Sequence, residues 1–382
     1  MELMSLSVRR GGAKVITARN YVGLIAMNDG TVIEILPKIA NVSEGAEESK
    51  NIFLEMLKSL KDISFKDFNM AKLGTDRLSL FEIFITMFLD EVTGLVQRGL
   101  SAGYTAREAN EHFYKGKLLF AQDIKNNLVN KERFFVRYDE FNTNRPENRL
   151  IKTTLRFLLG KSTDSRNRQS AARLLNYFDS IPESVNVEND FAKCLDDRSM
   201  TYYAKALAWC RVFLRGNSFT TYAGNEVAFA LLFPMDKVFE SYVAAKLRKL
   251  VDKSIELKIQ DSQYSLFDQP QKTFRLRPDL TLKYPDGSTV VMDTKWKLLT
   301  GNSSNNYGIS QADMYQMYAY GKKYQAKKVV LVYPRSPNLS AESIPAFKSN
   351  DGVIVEIAFI DLLRPDESFE FLLQNTYLSF AI

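Results

Sequence analysis

Histidine is nearly absent from this chain, whose 382 residues include only one, His112. Ser-His-Asp hydrolysis, histidine-based nuclease sites and histidine-rich zinc centres all depend on that side chain. The sequence therefore excludes these classes of site unless His112 itself carries the chemistry. Lone histidines are more often structural, and we assign no role to this one.

Cysteine and long apolar runs are also scarce. The two cysteines, Cys194 and Cys210, are too few for a disulfide framework or a zinc site, which favours a reducing cytoplasm. No apolar run approaches the roughly 18 residues that a membrane span needs, and the N-terminal segment MELMSLSVRRGG lacks the apolar core of a signal peptide. We therefore expect a cytoplasmic protein with no membrane partner.

The composition is that of a globular protein with a basic balance. Hydrophobic residues make up 45% of the chain and charged residues 25%, and the length allows two or three domains. The net charge is +6 and the pI is about 9.0. Such a charge permits binding to a phosphate backbone without requiring it, because no block of basic residues dominates.

Residues 275–298 carry the most informative pattern in the sequence. Polar and apolar side chains alternate over its first half, with Arg277, Asp279, Thr281 and Lys283 against Leu276, Leu280 and Leu282. This period of two predicts a half-buried strand. Pro285-Asp286-Gly287 predicts a turn, and the β-branched, apolar segment 289–296 predicts the return strand of a hairpin.

This hairpin would bring three charged side chains together. A three-residue turn places Asp279 opposite Asp293, and Lys295, two residues later, shares the face of Asp293. Neighbouring carboxylates repel unless a cation lies between them, and hard oxygen ligands suit Mg²⁺. The pattern predicts a divalent metal held against a phosphate, with Lys295 stabilising the nucleophile or the developing charge. The alternative is an exposed hairpin with ordinary solvated charges.

The remaining segments predict a fold of the α/β class, which over the whole chain is of the α+β type. Strands at 15–18, 21–27 and 31–36, the last two joined by a turn at Asn28-Asp29-Gly30, predict an N-terminal β unit that is followed by helices. From residue 235 onward the order of helices and strands predicts a mixed sheet flanked by helices. We predict an N-terminal β/helical domain over 1–222 and a C-terminal domain over 223–382.

Three side chains outside the hairpin are candidates for supporting it. Glu240 lies beside the apolar stripe of a helix that starts near Pro234, where it reaches a neighbouring site or is a solvated flank charge. Gln311 and Tyr315 lie on a helix predicted from 311 to 320, where they face the site or belong to its packing.

Gly160-Lys161-Ser162 is not a phosphate-binding loop, because such a loop needs a glycine at position 155, which is a leucine in a predicted helix.

The C-terminal pattern resembles the core of the PD-(D/E)XK nucleases. The matching positions are Pro278-Asp279 for the Pro-Asp, Asp293-Thr294-Lys295 for the (D/E)-x-K, Glu240 for the acid of the preceding helix and Gln311 for the polar residue of the following helix. Separated blocks narrow the resemblance to the McrC family, the nuclease subunit of the McrBC modification-dependent restriction system. They read YVGLIAMNDGTVIEILPKI, RGLSAGYTAREANEHFYKGKL, NRPENRLIKTTLRFLL and FPMDKVFESYV.

The resemblance implies an endonuclease that cuts double-stranded DNA. The implied ligands of one or two Mg²⁺ ions, with Mn²⁺ as an alternative, are Asp279, Asp293, Glu240 directly or through water, and the backbone carbonyl of Thr294. Lys295 would orient or deprotonate the attacking water, or neutralise charge in the transition state. A role as base needs desolvation that depresses its pKa. The flanking basic residues that contact phosphates, or are simply solvated, are Arg275, Arg277 and Lys297.

The resemblance also implies a partner. McrC-like proteins work with McrB, an AAA+ GTPase hexamer that recognises methylated cytosine and translocates DNA, and they dock into it through their N-terminal part and stimulate GTP hydrolysis. This fits the missing phosphate-binding loop, so we expect no nucleotide to be bound by this chain alone. The chain departs from many relatives of the nuclease core at Asp293, where they have the longer glutamate.

Two alternatives stay open. A RecB-like repair exonuclease shares the nuclease core, although many such enzymes carry a four-cysteine iron–sulfur cluster that Cys194 and Cys210 cannot supply. A preference for DNA ends without a GTPase would favour it. A non-enzymatic activator of an AAA+ motor, with vestigial nuclease residues, would stimulate GTP hydrolysis without Lys295 and would cut no DNA.

Overall fold

The chain divides into two compact units. A computed structural model describes residues 4–8, 14–18, 20–27, 32–39, 46–60, 78–129, 131–194, 198–215, 227–336, 339 and 344–378. Unit 1 comprises residues 1–76 together with 218–382, and unit 2 comprises residues 77–217.

Runs of strands and runs of helices follow one another along the described residues. In chain order, the strands are β1 (Met4–Val8), β2 (Lys14–Ala18), β3 (Tyr21–Met27), β4 (Val32–Ile35), β5 (Gly103–Glu111), β6 (Lys117–Leu118), β7 (Phe134–Asn142), β8 (Val227–Pro234), β9 (Glu256–Ile259), β10 (Ser265–Phe267), β11 (Thr273–Arg275), β12 (Leu280–Lys283), β13 (Thr289–Thr294), β14 (Lys328–Pro334), β15 (Phe347–Lys348) and β16 (Ile354–Ile360). The helices are α1 (Ala46–Leu57), α2 (Leu80–Arg98), α3 (Phe120–Asn127), α4 (Pro146–Lys161), α5 (Ser165–Leu175), α6 (Val187–Lys193), α7 (Ala204–Arg215), α8 (Met235–Leu250), α9 (Gln311–Lys323) and α10 (Pro365–Leu378).

A three-stranded antiparallel sheet of order β4-β3-β8 joins the start of the chain to its middle. A side chain at Gly23 of β3 would lie 2.0 Å from the carbonyl oxygen of Leu231 in β8, so only glycine allows the two strands to pair this closely. Strand β8 pairs with β3, and residues 1–76 belong to the same unit as residues 218–382. The predicted boundary between residues 222 and 223 places these two segments in different domains. The predicted turn at Asn28-Asp29-Gly30 lies outside the described residues.

A six-stranded mixed sheet forms the centre of unit 1. Its order is β15-β16-β14-β13-β12-β9, with β13, β14 and β16 parallel and the remaining neighbours antiparallel. Val290, Val291 and Met292 of β13 are fully buried, which stabilises the fold by roughly 1.5–3 kcal/mol for each side chain. Helices α8, α9 and α10 pack on its strands. The predicted α/β class, with a mixed sheet flanked by helices, is confirmed.

The predicted hairpin is formed by β12 and β13. Leu280 pairs with Met292 and Lys283 with Thr289, and the turn between the strands is closed by a hydrogen bond from the Gly287 N–H to the Tyr284 carbonyl. Gly287 has a φ of +83°, a conformation that glycine adopts without strain. The turn and the register therefore follow the sequence pattern.

Strand β12 is buried on both faces, so the prediction of a half-buried strand was wrong. Thr281 pairs with Val291, and paired residues of an antiparallel ladder point to the same side of a sheet. On that side Val291 packs against Met317 and Tyr320 of α9. Thr281 is thus covered by the helix, although its polarity suggested an exposed face.

Unit 2 combines the three-stranded sheet β5-β7-β6 with helices α2 to α7. The buried carboxylate of Glu82 accepts hydrogen bonds from the Ser162 hydroxyl at 2.8 Å and from the Thr163 N–H at 2.7 Å. Gly160 and Lys161 end helix α4. The Gly160-Lys161-Ser162 segment is therefore a helix end with a structural hydrogen bond.

No helix in the described ranges has the length and apolar character to cross a bilayer.

Candidate functional site

Asp279, Asp293 and Lys295 lie together at one end of the β12–β13 hairpin. Continuing the ladder one step beyond the Leu280–Met292 pair sets Asp279 opposite Asp293. The Lys295 ammonium lies 2.6 Å from Asp293 Oδ2. Asp279 Oδ2 accepts hydrogen bonds from the Thr294 N–H at 2.7 Å and the Thr294 hydroxyl at 2.6 Å. The structure thus brings together the three residues that the sequence singled out.

Backbone hydrogen bonds fix this end of the sheet. The Asp279 carbonyl accepts from the Gln260 N–H at 2.8 Å, and the Lys295 N–H donates to the Val332 carbonyl at 2.9 Å. Pro278 is buried and restricts φ immediately before Asp279. The charged residues therefore emerge from ordered backbone, which limits how far their carboxyl and ammonium groups can separate.

Burial dominates the electrostatics of the two carboxylates. Asp293 is 2% exposed, and burial, followed by the negative charge of Asp279, raises its pKa to about 7 against the pull of Lys295. Burial also raises the pKa of Asp279, although the hydrogen bonds from Thr294 oppose that rise. Both groups are thus poorly compensated anions, the condition that favours capture of a further cation.

Lys295 is held as an ammonium by its neighbours. Burial lowers its pKa, but the carboxylates of Asp293, Asp313 and Asp279 outweigh burial, so the pKa is raised. A general base needs the opposite shift. Of the roles derived from the sequence, the geometry favours charge neutralisation over proton abstraction.

Helix α9 supplies two residues that the sequence analysis missed. Lys295 Nζ donates to Gln316 Oε1 at 3.3 Å and lies 3.7 Å from Asp313 Oδ1. Both residues share the helix face of Met317 and Tyr320, which are buried against the sheet. That apolar spacing of three and four residues was the available signal, because it identifies the face turned toward β13.

The predicted supporting residues Gln311 and Tyr315 lie elsewhere on α9. Both are exposed, and the Gln311 amide donates to the Tyr315 hydroxyl at 2.6 Å. About 100° of rotation per residue turns them away from the face that packs on the sheet. The expectation that Gln311 and Tyr315 face the charged cluster is therefore wrong, and Gln316 is the glutamine of this helix that contacts Lys295.

Helix α8 contributes acidic side chains beside Asp279. Glu240 Oε1 accepts a hydrogen bond from the Gln260 amide at 2.7 Å. Burial and the charge of Asp279 raise the pKa of Glu240. Asp236, one turn earlier, was not singled out from the sequence, and its pKa is raised by burial and by Asp279 while Lys295 and the Trp296 backbone oppose the rise. Both carboxyl groups thus respond to the charge of the cluster.

The predicted DNA-contacting residues are all exposed at the rim. Arg275 ends β11, and Arg277 lies two residues before Asp279. Lys297 Nζ donates to the Gly308 carbonyl at 2.6 Å, which ties it to the loop before α9. Arg277 and Lys297 each lie two residues along the chain from a charged residue of the cluster, and their contact with DNA stays a prediction.

The donor set suits a magnesium ion that shares its coordination with a substrate. Across the residues that the structure describes, no three or more His, Cys, Asp and Glu side chains form a metal-binding group by themselves. Mg²⁺, however, is usually held by one or two carboxylates together with waters and phosphate oxygens. Asp293 Oδ2 is buried and contacts the Lys295 ammonium at 2.6 Å, yet burial and the charge of Asp279 still raise the pKa of its carboxyl group. Asp279 and Asp293 therefore fit the protein half of such a site.

Replacing Thr294 by valine tests the support of Asp279. The Thr294→Val protein keeps the β-branched shape but loses the hydroxyl that donates to the carboxylate, so we expect unfolding to become easier by roughly 1.5–3 kcal/mol, the range for hydrogen bonds to charged groups. Urea denaturation measures the difference. Thr281→Val is the matched control, because the Thr281 hydroxyl is buried with no hydrogen-bond partner among the described residues. That variant should be unchanged or more stable, and equal losses in both would contradict the assignment.

Comparisons with known proteins show what the whole chain is similar to. The sequence model of the family described as "McrBC 5-methylcytosine restriction system component" matches residues 16–334. Among curated proteins, no match was found. A refined half-complex from the tetradecameric assembly of Thermococcus gammatolerans McrB AAA+ hexamers with bound McrC contains a chain of similar fold, with a TM-score of 0.72 and 22% identity over 97% of this chain and 85% of that chain. The cryo-EM structure of the Thermococcus gammatolerans McrBC complex gives a TM-score of 0.48 and 26% identity, over 63% of this chain and 69% of that chain.

Proposed function

Since this chain belongs to the family of McrBC 5-methylcytosine restriction system components, we propose that it is the DNA-cutting subunit of such a system. The family resemblance drawn from its sequence blocks is thereby confirmed. The proposed reaction is metal-assisted hydrolysis of a phosphodiester in double-stranded DNA that carries 5-methylcytosine or a similar modification. The catalytic unit would be a PD-(D/E)XK core with Asp279, Asp293 and Lys295.

One observation supports this proposal above the others. The buried carboxylate of Asp293, the half-buried carboxylate of Asp279 and an ammonium meet at one end of a central hairpin, with the ammonium 2.6 Å from Asp293. Burying charges without a complete set of partners destabilises a fold. Such clusters persist where the charges serve binding or chemistry, and a vestigial site would be free to replace them with neutral side chains.

The chain's own residues would divide the chemistry between them. Asp279 and Asp293 would hold Mg²⁺ or Mn²⁺, with Glu240 assisting directly or through water and the Thr294 carbonyl as a further ligand. When bound, the metal would polarise the scissile phosphate and lower the pKa of a bound water. Thr294 fixes the orientation of Asp279. Lys295, kept protonated by its neighbours, would neutralise negative charge that builds on the phosphate.

The partner we propose is a McrB-like AAA+ GTPase hexamer. The related structure contains McrB hexamers with bound McrC, and the sequence of this chain offers no phosphate-binding loop of its own. The nucleotide chemistry and the recognition of the modified base would then belong to the partner. This chain would stimulate its GTP hydrolysis through the N-terminal half.

A reconstituted cleavage assay tests the proposed function. The full chain is mixed with its McrB-like partner, GTP, and a plasmid that is either cytosine-methylated or unmethylated, in Mg²⁺ or in EDTA. We expect linear product only from methylated plasmid with partner, GTP and Mg²⁺. Stimulated GTP hydrolysis without any cutting would favour the non-enzymatic activator, and GTP-independent degradation from DNA ends would favour the exonuclease.

Replacing Gln316 by alanine separates the structural assignment from the sequence-based one. Gln316→Ala removes the acceptor for Lys295 Nζ, and we expect cleavage to slow about tenfold, equivalent to about 1.4 kcal/mol in the activation free energy. Initial rates of plasmid linearisation give the measurement. Gln311→Ala, on the exposed face of the same helix, should cut at close to the wild-type rate, and the reverse order would restore Gln311 to the site.

A further inference from the structure

A groove of about 940 Å³ lies between the end of α1 and the outer side of α8. We call it the α8 groove. Its basic lining residues are Lys58, Lys237, Lys246, Arg248 and Lys249, against two acidic ones, Glu55 and Glu240. The balance of charge is thus positive, and of these lining residues only Glu240 has a part in the proposed cleavage chemistry.

The side chains along α8 in this groove suit an extended, negatively charged ligand. Lys237, Ser241, Ala245 and Arg248 follow one another at spacings of three and four residues, so they form a single stripe along α8. The small side chains in its middle let a ligand approach the helix closely. From Lys237 to Arg248 the stripe is roughly 16 Å long, which is about the rise of five nucleotides along one DNA strand.

Not all of these cations are occupied by acidic neighbours. Lys58 pairs with Glu55 at 2.5 Å and Lys246 with Asp366 at 2.8 Å. Arg248 and Lys249 are exposed, and within the described part of the chain neither forms an ion pair. Exposed cations such as these two attract phosphates and release the counterions bound to them, which is the electrostatic basis of nucleic-acid binding.

The α8 groove leads to the candidate active site. Glu240 and Gln260 line it, and they are joined by a hydrogen bond of 2.7 Å. The Gln260 N–H in turn donates to the carbonyl of Asp279 at 2.8 Å. A DNA strand in the groove therefore lies against Gln260, which is hydrogen-bonded directly to Asp279 of the candidate active site.

We propose that the α8 groove binds the sugar-phosphate backbone of the DNA beside the scissile phosphate, an inference that rests on the proposed nuclease function. The contacts are to phosphates, so they set the path of the duplex and carry no sequence preference. Arg248 and Lys249 supply most of the attraction, and the other lysines of the groove extend the path past Glu240.

The test measures how DNA affinity of the full chain depends on salt. Fluorescence anisotropy of a labelled duplex is recorded in EDTA over a series of KCl concentrations, for the wild type and for R248Q/K249Q. Each lost phosphate contact lowers the slope of log affinity against log salt by about 0.9 on duplex DNA and about 0.7 on single strands. We expect a slope shallower by about 2 on duplex. Lys348→Gln, on the edge strand β15 at the opposite side of the sheet, should keep the wild-type slope.

Each outcome decides the proposal. An unchanged slope in R248Q/K249Q overturns it, and if methylated plasmid is still cut at the wild-type rate the nuclease function survives without the groove. An unchanged slope with loss of GTPase stimulation would assign the groove to the protein partner and would also overturn it. A shallower slope in a protein whose wild type never cuts DNA upholds the groove and rejects the nuclease function instead.

Discussion

Asp293→Asn is expected to reduce DNA cleavage by at least about 1,000-fold, which corresponds to about 4 kcal/mol of lost transition-state stabilisation. The substitution keeps the size of the side chain and removes its charge. Asp293 is the buried member of the cluster, and its Oδ2 contacts the Lys295 ammonium at 2.6 Å. Without its charge, the site loses both a metal ligand and the anchor of the ammonium.

The measurement is the initial rate of methylated-plasmid cleavage in the presence of the partner, GTP and Mg²⁺. Asp286→Asn provides the matched control, because it is the same substitution in the exposed turn of the same hairpin, where Asp286 accepts hydrogen bonds from Ser288. It should leave the rate at the wild-type value. GTPase stimulation should survive in both proteins, and wild-type cutting by purified Asp293→Asn would remove Asp293 from the chemistry.

The hairpin and its charged residues could be predicted because their signals are local. A strong turn at Pro285-Asp286-Gly287 fixes the register of the two strands, and register alone sets Asp279 opposite Asp293. The spacing of two then puts Lys295 on the side of Asp293 without reference to any other part of the chain. These inferences required only the geometry of a strand and the chemistry of the side chains.

The residues that the sequence did not reveal depend on long-range packing. Whether Gln311 or Gln316 meets Lys295 is decided by which face of α9 rests on the sheet, and Met317 and Tyr320 decide that face through contacts with strands β13 and β14. The burial of Thr281 has the same origin. The pairing of β3 with β8 joins segments about 200 residues apart, a contact that local periodicity does not encode.

Loss of activity in Asp293→Asn should be accompanied by a gain in stability. The folded protein holds the pKa of Asp293 at about 7, above its ordinary value of 3.8, chiefly because the side chain is buried. The folded state therefore binds this proton more tightly than the unfolded chain does. As the pH rises from about 4 to about 7, ionisation of Asp293 progressively destabilises the fold, and the penalty stays constant above that range.

Asparagine carries no such penalty, so in EDTA the variant should melt several degrees above the wild type at about pH 8, and this advantage should shrink to nothing by about pH 4. Differential scanning calorimetry across this pH range, on both proteins, gives the measurement. Mg²⁺ should raise the melting temperature of the wild type more than that of the variant, because only the wild type offers both carboxylates to the ion. A variant that is less stable than the wild type at about pH 8 would mean that the pairing with Lys295 outweighs the burial of Asp293. Asp293 and Lys295 would then form a structural ion pair. The raised pKa of Asp293 would no longer be an argument for a catalytic site.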